Sequence, residues 1–116
     1  MKFTSAPMQS TAGTCLRGRI TATYAKLVEV FGKPTLFSGG KIDAEWVILF
    51  ESGTIATIHN YKDGRNYYGA KGTPTEEITE WSVGGHDNQR DEHGALAHVY
   101  AALASHERKL AEATAA

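Results

Sequence analysis

The sequence predicts an α+β fold: a small antiparallel sheet built on a central hairpin, with a short N-terminal helix and a long C-terminal helix. Three observations carry this. Glu45 to Asn60 sets two β-rich runs on either side of Ser52-Gly53. Tyr24, Leu27, Val28 and Phe31 recur at helical spacing on one face. Leu96, Val99, Tyr100, Leu103 and Leu110 mark a second, longer helical stripe.

The first hairpin strand, Glu45-Trp46-Val47-Ile48-Leu49-Phe50, is dense in aromatic and β-branched residues, and the return runs from Thr54 to Asn60. With Ser52 and Gly53 as a two-residue loop, Phe50 faces Ile55, Ile48 faces Thr57 and Trp46 faces His59. A three-residue loop with a glycine bulge shifts each pair by one. In either register both faces carry apolar side chains. The hairpin is therefore expected at the centre of the sheet, covered by helices on one side and by a second subunit on the other. A homodimer is expected on that ground, and the small side chains of the alanine-rich terminal helix allow close helix approach.

Thr23 fits the N-cap of the first helix, Gly32 its left-handed C-terminal cap, and Pro34 forbids continuation. Leu16 to Thr21 reads as a short strand, residues 35–43 as a loop, and Ile78 to Val83 as a further strand ended by Gly84-Gly85. The long helix is expected from about Asp91, with Ala97, Ala101, Ala104 and Ala111 filling around its stripe. Arg108 and Lys109 suit the negative end of its dipole. Residues 1–15 read as a flexible lead-in or a strand added late, residues 16–112 as one domain, and residues 113–116 as a fraying end.

At 116 residues the chain fits one domain, and 41% hydrophobic with 22% charged residues is globular rather than disordered usage. A formal charge of -1 provides no basic field for duplex DNA and no dense negative surface for mimicking it. One cysteine, Cys15, leaves no internal disulfide and points to a reducing, cytoplasmic setting. No apolar run approaches the roughly 18 residues of a membrane span, and Met1 to Thr14 lacks a signal-peptide core.

Chemistry concentrates in the loop from Asn60 to Gly72. Lys62, Arg65 and Lys71 suit phosphate oxygens, and its glycines let backbone N–H groups approach an anion. Tyr61, Tyr67 and Tyr68 offer faces for stacking on a base, and Asn60 and Asn66 offer amides for reading its edge. Trp46 and Trp81 wall this site if they face the same side. The competing structural reading has Asp63-Gly64 closing a second hairpin and the tyrosines packing on the sheet.

Other constellations are weaker. His86, Asp87, Asp91 and His93 crowd one segment without zinc-site spacing, and His98 and His106 are too far apart along the helix to share a metal. The histidines are expected at surface or capping positions, with His59 packing against Trp46. Ser38-Gly39-Gly40-Lys41 lacks the glycine and hydroxyl of a phosphate loop. Glu76, Glu77 and Glu80 suit a solvated face. Cys15, near Arg17 and Arg19, has no nucleophile-elbow or Cys–His–Asn pattern around it. No catalytic residues, metal or cofactor are expected.

A longer pattern runs from Tyr24 to Gly85. It comprises Leu27-Val28, Phe31-Gly32-x-Pro34, Asp43-x-Glu45-Trp46 and Gly53-Thr54-x-Ala56-Thr57-Ile58, then Asn60-Tyr61-Lys62-Asp63-Gly64, Asn66-Tyr67, Gly69, Gly72-Thr73-Pro74 and Ile78-Thr79-Glu80-Trp81-x-Val83-Gly84-Gly85. In these residues the chain resembles a family of short accessory proteins encoded by bacteriophages. The resemblance covers about half the chain and brings no catalytic residue set. It implies an anti-defence protein acting by binding in the host cytoplasm. One version sequesters a small anionic ligand such as an immune signalling nucleotide. The alternative inhibits a host defence protein or nuclease complex by protein contact, as anti-CRISPR proteins do. A nucleotide-modifying enzyme is the third class.

Overall fold

A computed structural model describes residues 2–86 and 94–115. A six-stranded antiparallel sheet is formed by β1 (Phe3–Ser5), β2 (Thr14–Thr21), β3 (Thr35–Leu36), β4 (Ala44–Phe50), β5 (Ile55–His59) and β6 (Glu80–His86). The strand order is β1-β4-β5-β6-β2, with β3 also on β4. Three helices, α1 (Tyr24–Phe31), α2 (Arg65–Tyr68) and α3 (Ala95–Ala115), complete the α+β fold.

The hairpin β4–β5 is central, and its register is the shifted one. Trp46 pairs with Ile58, Ile48 with Ala56, Val47 with Thr57 and Leu49 with Ile55. The cause is a three-residue turn, Glu51-Ser52-Gly53. Gly53 sits at φ 90, its N–H donates to the Phe50 carbonyl at 2.8 Å, and Phe50 N–H donates to the Thr54 carbonyl at 2.9 Å. A glycine in the left-handed region closes such a loop without steric cost. His59 consequently lies opposite Glu45 and Ser82, not Trp46.

This register sorts the side chains. Trp46, Ile48, Phe50, Ala56, Ile58, Trp81 and Val83 share one face and are buried with Leu27 and Phe31 of α1 and Ala95 and Val99 of α3. The opposite face is mixed: Val47 and Thr57 are buried, while Leu49, Ile55, Glu45 and His59 are only half-buried. The outer edge of β4 is capped at both ends, by β1 along Ile48–Phe50 and by β3 along Ala44 and Glu45. Short covering strands are a common protection for an exposed edge. Of the two readings of the N-terminus, strand formation is seen at Phe3–Ser5, where Phe3 packs 5.2 Å from Phe31 and 5.8 Å from Phe50 between ring centroids.

β6 does not stop at Gly84-Gly85 but continues to His86. Both glycines are there for close approach. A Cβ on Gly84 would collide with Thr57 Oγ1, and one on Gly85 would lie 2.5 Å from the Ala95 Cβ, where α3 crosses the sheet. That crossing also rotates the helix stripe. Ala95, His98, Val99 and Ala102 face inward, with Leu96 and Leu103 flanking, whereas Tyr100 and Leu110 are 51% and 39% exposed. The expected start of the helix near Asp91 lies outside the described residues. Arg108 and Lys109 are not in the last turn of α3.

α1 matches its caps: the Thr23 hydroxyl accepts from Lys26 N–H, and Gly32 at φ 87 donates to the Val28 carbonyl. A surface ion pair, Lys26 to Glu107 at 2.7 Å, ties α1 to α3.

Candidate binding surface

The chain leaves β5 through Asn60, and this residue organises the loop beyond the strand. Its side chain is fully buried. The amide oxygen accepts from the backbone N–H of Asp43 at 2.8 Å and of Ala44 at 3.1 Å. The amide nitrogen donates to Asp43 Oδ1 at 2.8 Å and Asp63 Oδ1 at 2.9 Å. All four hydrogen-bonding positions of the amide are used. Asn60 therefore cannot read a ligand, which corrects its expected role: it is the internal strut of the loop.

Asp43, 5% exposed, is the second half of that strut. Its Oδ2 accepts the backbone N–H of Asn66 at 3.1 Å, in the first turn of α2. A bound phosphate would seek such N–H groups, but the protein's own carboxylate is already there. Several other backbone amides of the segment are also committed. Lys62 N–H donates to the Lys41 carbonyl, Tyr67 and Tyr68 N–H to the Gly64 carbonyl, Gly72 N–H to the Gly69 carbonyl, and Thr73 N–H to the Asp63 carbonyl. The glycines are likewise explained by packing. A Cβ on Gly64 would run into the Asp43 carboxylate, and one on Gly72 into the Gly64 backbone. Asp63-Gly64 closes no second hairpin; the segment folds as α2 followed by a 3-10 turn over Gly69–Lys71.

Trp46 and Trp81 do face the same side, but inside the core. Both are 1% exposed, with ring centroids 5.2 Å apart in an edge-on arrangement. Each indole N–H is spent on a backbone carbonyl, Gly32 at 2.7 Å and Ala22 at 2.9 Å. Such an edge-to-face pair adds about 0.5–1.5 kcal/mol beyond its burial. They hold α1 to the sheet, and neither forms a wall of an accessible site.

What remains on the surface is aromatic and cationic. Tyr61, Tyr67 and Tyr68 are 46%, 45% and 59% exposed. Tyr67 and Tyr68 meet edge-on at 4.9 Å. Lys62 places its ammonium 5.3 Å from the Tyr61 ring centroid and 5.7 Å from that of Tyr67. It does so from φ 58, the one left-handed conformation of a non-glycine among the described residues. That backbone costs on the order of 1 kcal/mol. Asn66 donates both amide hydrogens, to the Phe37 carbonyl at 2.7 Å and the Ile42 carbonyl at 2.9 Å. It thereby joins the exposed Leu36 and Phe37, 64% and 45% open, to the same region. Arg65 and Lys71 are exposed beside them in sequence. Reading the sequence alone misses Leu36 and Phe37; their signal is two large apolar residues leading into a Ser-Gly-Gly loop.

The histidines divide. His98 is buried rather than at the surface. Its Nδ1 lies 2.7 Å from the Gly94 carbonyl and so carries the proton, leaving Nε2 to accept from Ser52 Oγ at 3.1 Å. This clips the hairpin turn to α3. The nearby backbone N–H groups are engaged within the turn, Gly53 N–H by the Phe50 carbonyl at 2.8 Å and Thr54 N–H by Ser52 Oγ at 3.4 Å. His106 stands 3.2 Å from Glu29. Burial lowers the His59 pKa and raises that of its neighbour Glu45. Asp87, Asp91 and His93 lie outside the described residues. Among the described residues no three His, Cys, Asp or Glu side chains are grouped to hold a metal. Nor is any described helix long and apolar enough to cross a membrane.

No protein-family model matches this chain, and no curated protein matches it in sequence.

Proposed function

We propose that the chain is a non-catalytic binding protein that docks onto a protein partner through the Tyr61–Tyr68 surface. The observation that carries this reading is the exposed group of Phe37, Tyr61, Tyr67 and Tyr68, with the half-buried Lys62 against the tyrosine rings, mounted on the buried Asn60–Asp43 strut. Tyrosine and arginine are favoured interface anchors, and aromatics on a rigid base lose little entropy on binding. In the bacteriophage setting that the resemblance implies, the partner is a host defence protein and the outcome is its inhibition in the cytoplasm.

Sequestration of a nucleotide, the other form of the anti-defence reading, is less favoured. Asn60, Trp46 and Trp81 are withdrawn from it, and the anion position at α2 is filled by Asp43. Only Lys62, Arg65 and Lys71 remain to hold phosphates, as side chains on an open surface.

Native mass spectrometry of the protein purified from an infected host separates the two. A stoichiometric protein complex lost with Tyr67→Ala and retained when the charges of Lys62 and Arg65 are removed supports protein docking. A co-purified nucleotide, displaced by those charge removals, supports sequestration instead. A homodimer belongs to the same proposal, through the mixed sheet face on which Leu49 and Ile55 stay half-buried and Leu16 is 60% exposed. A monomeric mass by light scattering at micromolar concentration dismisses it.

A further inference from the structure

A cleft of about 260 Å³ opens where the second half of α3 passes over α1 and the β1–β4 edge. It shares no residue with the Tyr61–Tyr68 surface. Its apolar lining comes from Phe3, Val30, Phe50 and the small Ala101 and Ala102. His98, Ser105, His106, Arg108 and Lys109 supply its polar half.

The two parts are chemically unequal. The aromatic part is fixed, since Phe3 and Phe50 pack against each other at 5.8 Å and His98 stands edge-on to Phe50 at 4.9 Å with its ring held by Ser52 and Gly94. The basic part is unsatisfied. Arg108 and Lys109 take part in no ion pair among the described residues, while the nearby Glu29 and Glu107 are engaged by Lys26 and His106. Two exposed cations beside a fixed aromatic floor in an otherwise polar cleft match a ligand with one acidic head and one short apolar tail. The volume lies just below the roughly 300–1,000 Å³ of sites for drug-sized ligands, so the tail must be short.

We propose that this cleft binds a small amphipathic carboxylate of the medium-chain fatty-acid type, its tail on Phe3, Val30 and Phe50 and its head between Arg108 and Lys109. The alanines of α3 then have a purpose beyond helix propensity, because larger side chains at 101 and 102 would fill the recess.

The test is a titration of the intact protein with octanoate, 1-octanol and acetate, followed by amide chemical shifts and by melting temperature. Octanoate is expected to bind saturably and to perturb amides around Phe50, His98 and Ala102. 1-Octanol, without the charge, is expected to bind about tenfold more weakly, and acetate, without the tail, not to bind measurably. The paired substitutions Arg108→Glu and Lys109→Glu, both on exposed side chains, should weaken octanoate binding tenfold or more. Ala101→Phe should abolish it by occupying the recess. The proposal is overturned if octanoate fails to saturate at millimolar concentration, if its perturbations map elsewhere, or if the charge-reversed protein binds it as the original does. The charge-reversed protein decides the matter even if Ala101→Phe disturbs folding.

Discussion

Asn60 spends its whole hydrogen-bonding capacity inside the protein, and the consequences of removing it are calculable. Asn60→Ala leaves the Asp43 and Ala44 N–H groups and part of the Asp43 carboxylate buried without partners. Each orphaned group costs about 1–3 kcal/mol, so a loss of at least about 3 kcal/mol is expected in urea unfolding. Asn60→Asp should be at least as costly at neutral pH, since it would set a third carboxylate against Asp43 and Asp63. His59 gives a pH prediction. Burial holds its pKa below the ordinary 6.5, and its Nδ1 is buried without a hydrogen-bond partner among the described residues. Below pH 6.5 the unfolded chain therefore takes up a proton that the folded one refuses. Stability is expected to fall as pH drops through that range, and His59→Gln should flatten the slope. Glu45 works the other way: its raised pKa makes the folded state the better proton binder just above pH 4.5, so its own contribution declines as pH rises there. Neither role was legible from the residues alone. Asn60 looks the same in sequence whether it faces a base or Asp43, seventeen positions away; only the tertiary partner distinguishes them.

At the scale of elements, legibility follows how local the cause is. The ends of α1 are set by Thr23 and Gly32, each acting within one turn, and both could be read directly. The hairpin register depends on whether Glu51 joins the turn, a choice between a two- and a three-residue loop. It is resolved by which pairing gathers Trp46, Ile48, Ala56 and Ile58 on one face. Gly84 and Gly85 read as a strand terminator because their real cause, the approach of Thr57 and Ala95, is non-local. Gly85→Ala should push α3 from the sheet and cost about 1–3 kcal/mol, as overpacking usually does. Gly18→Ala meets only the flexible end of Leu96, at 2.7 Å, and should cost less. Thermal unfolding of the two variants side by side measures the difference.

The whole molecule is asymmetric. Its radius of gyration, 14.4 Å, exceeds the roughly 13 Å typical of a chain this long, because α3, about 31 Å in length, overruns the sheet. Residues 107–114 are exposed throughout. Deleting residues 112–116 should therefore shift stability by less than about 0.5 kcal/mol in the same unfolding assay. The sheet order has a further effect, on time rather than stability. Among the described residues β2 pairs only with β6, with paired residues about 60 to 70 positions apart in the chain. A growing chain thus holds Ile20 without its sheet partner Trp81 until most of the protein has been made. The β4–β5 hairpin joins neighbouring segments of chain, and its formation belongs to the microsecond class of events. Closure of β2 onto β6 must first meet the entropy of a long loop, which places complete folding in the millisecond-to-second range. A stopped-flow refolding trace that follows the Trp46–Trp81 contact would time the docking of β6 on the hairpin, the step that presents the strand β2 must then find.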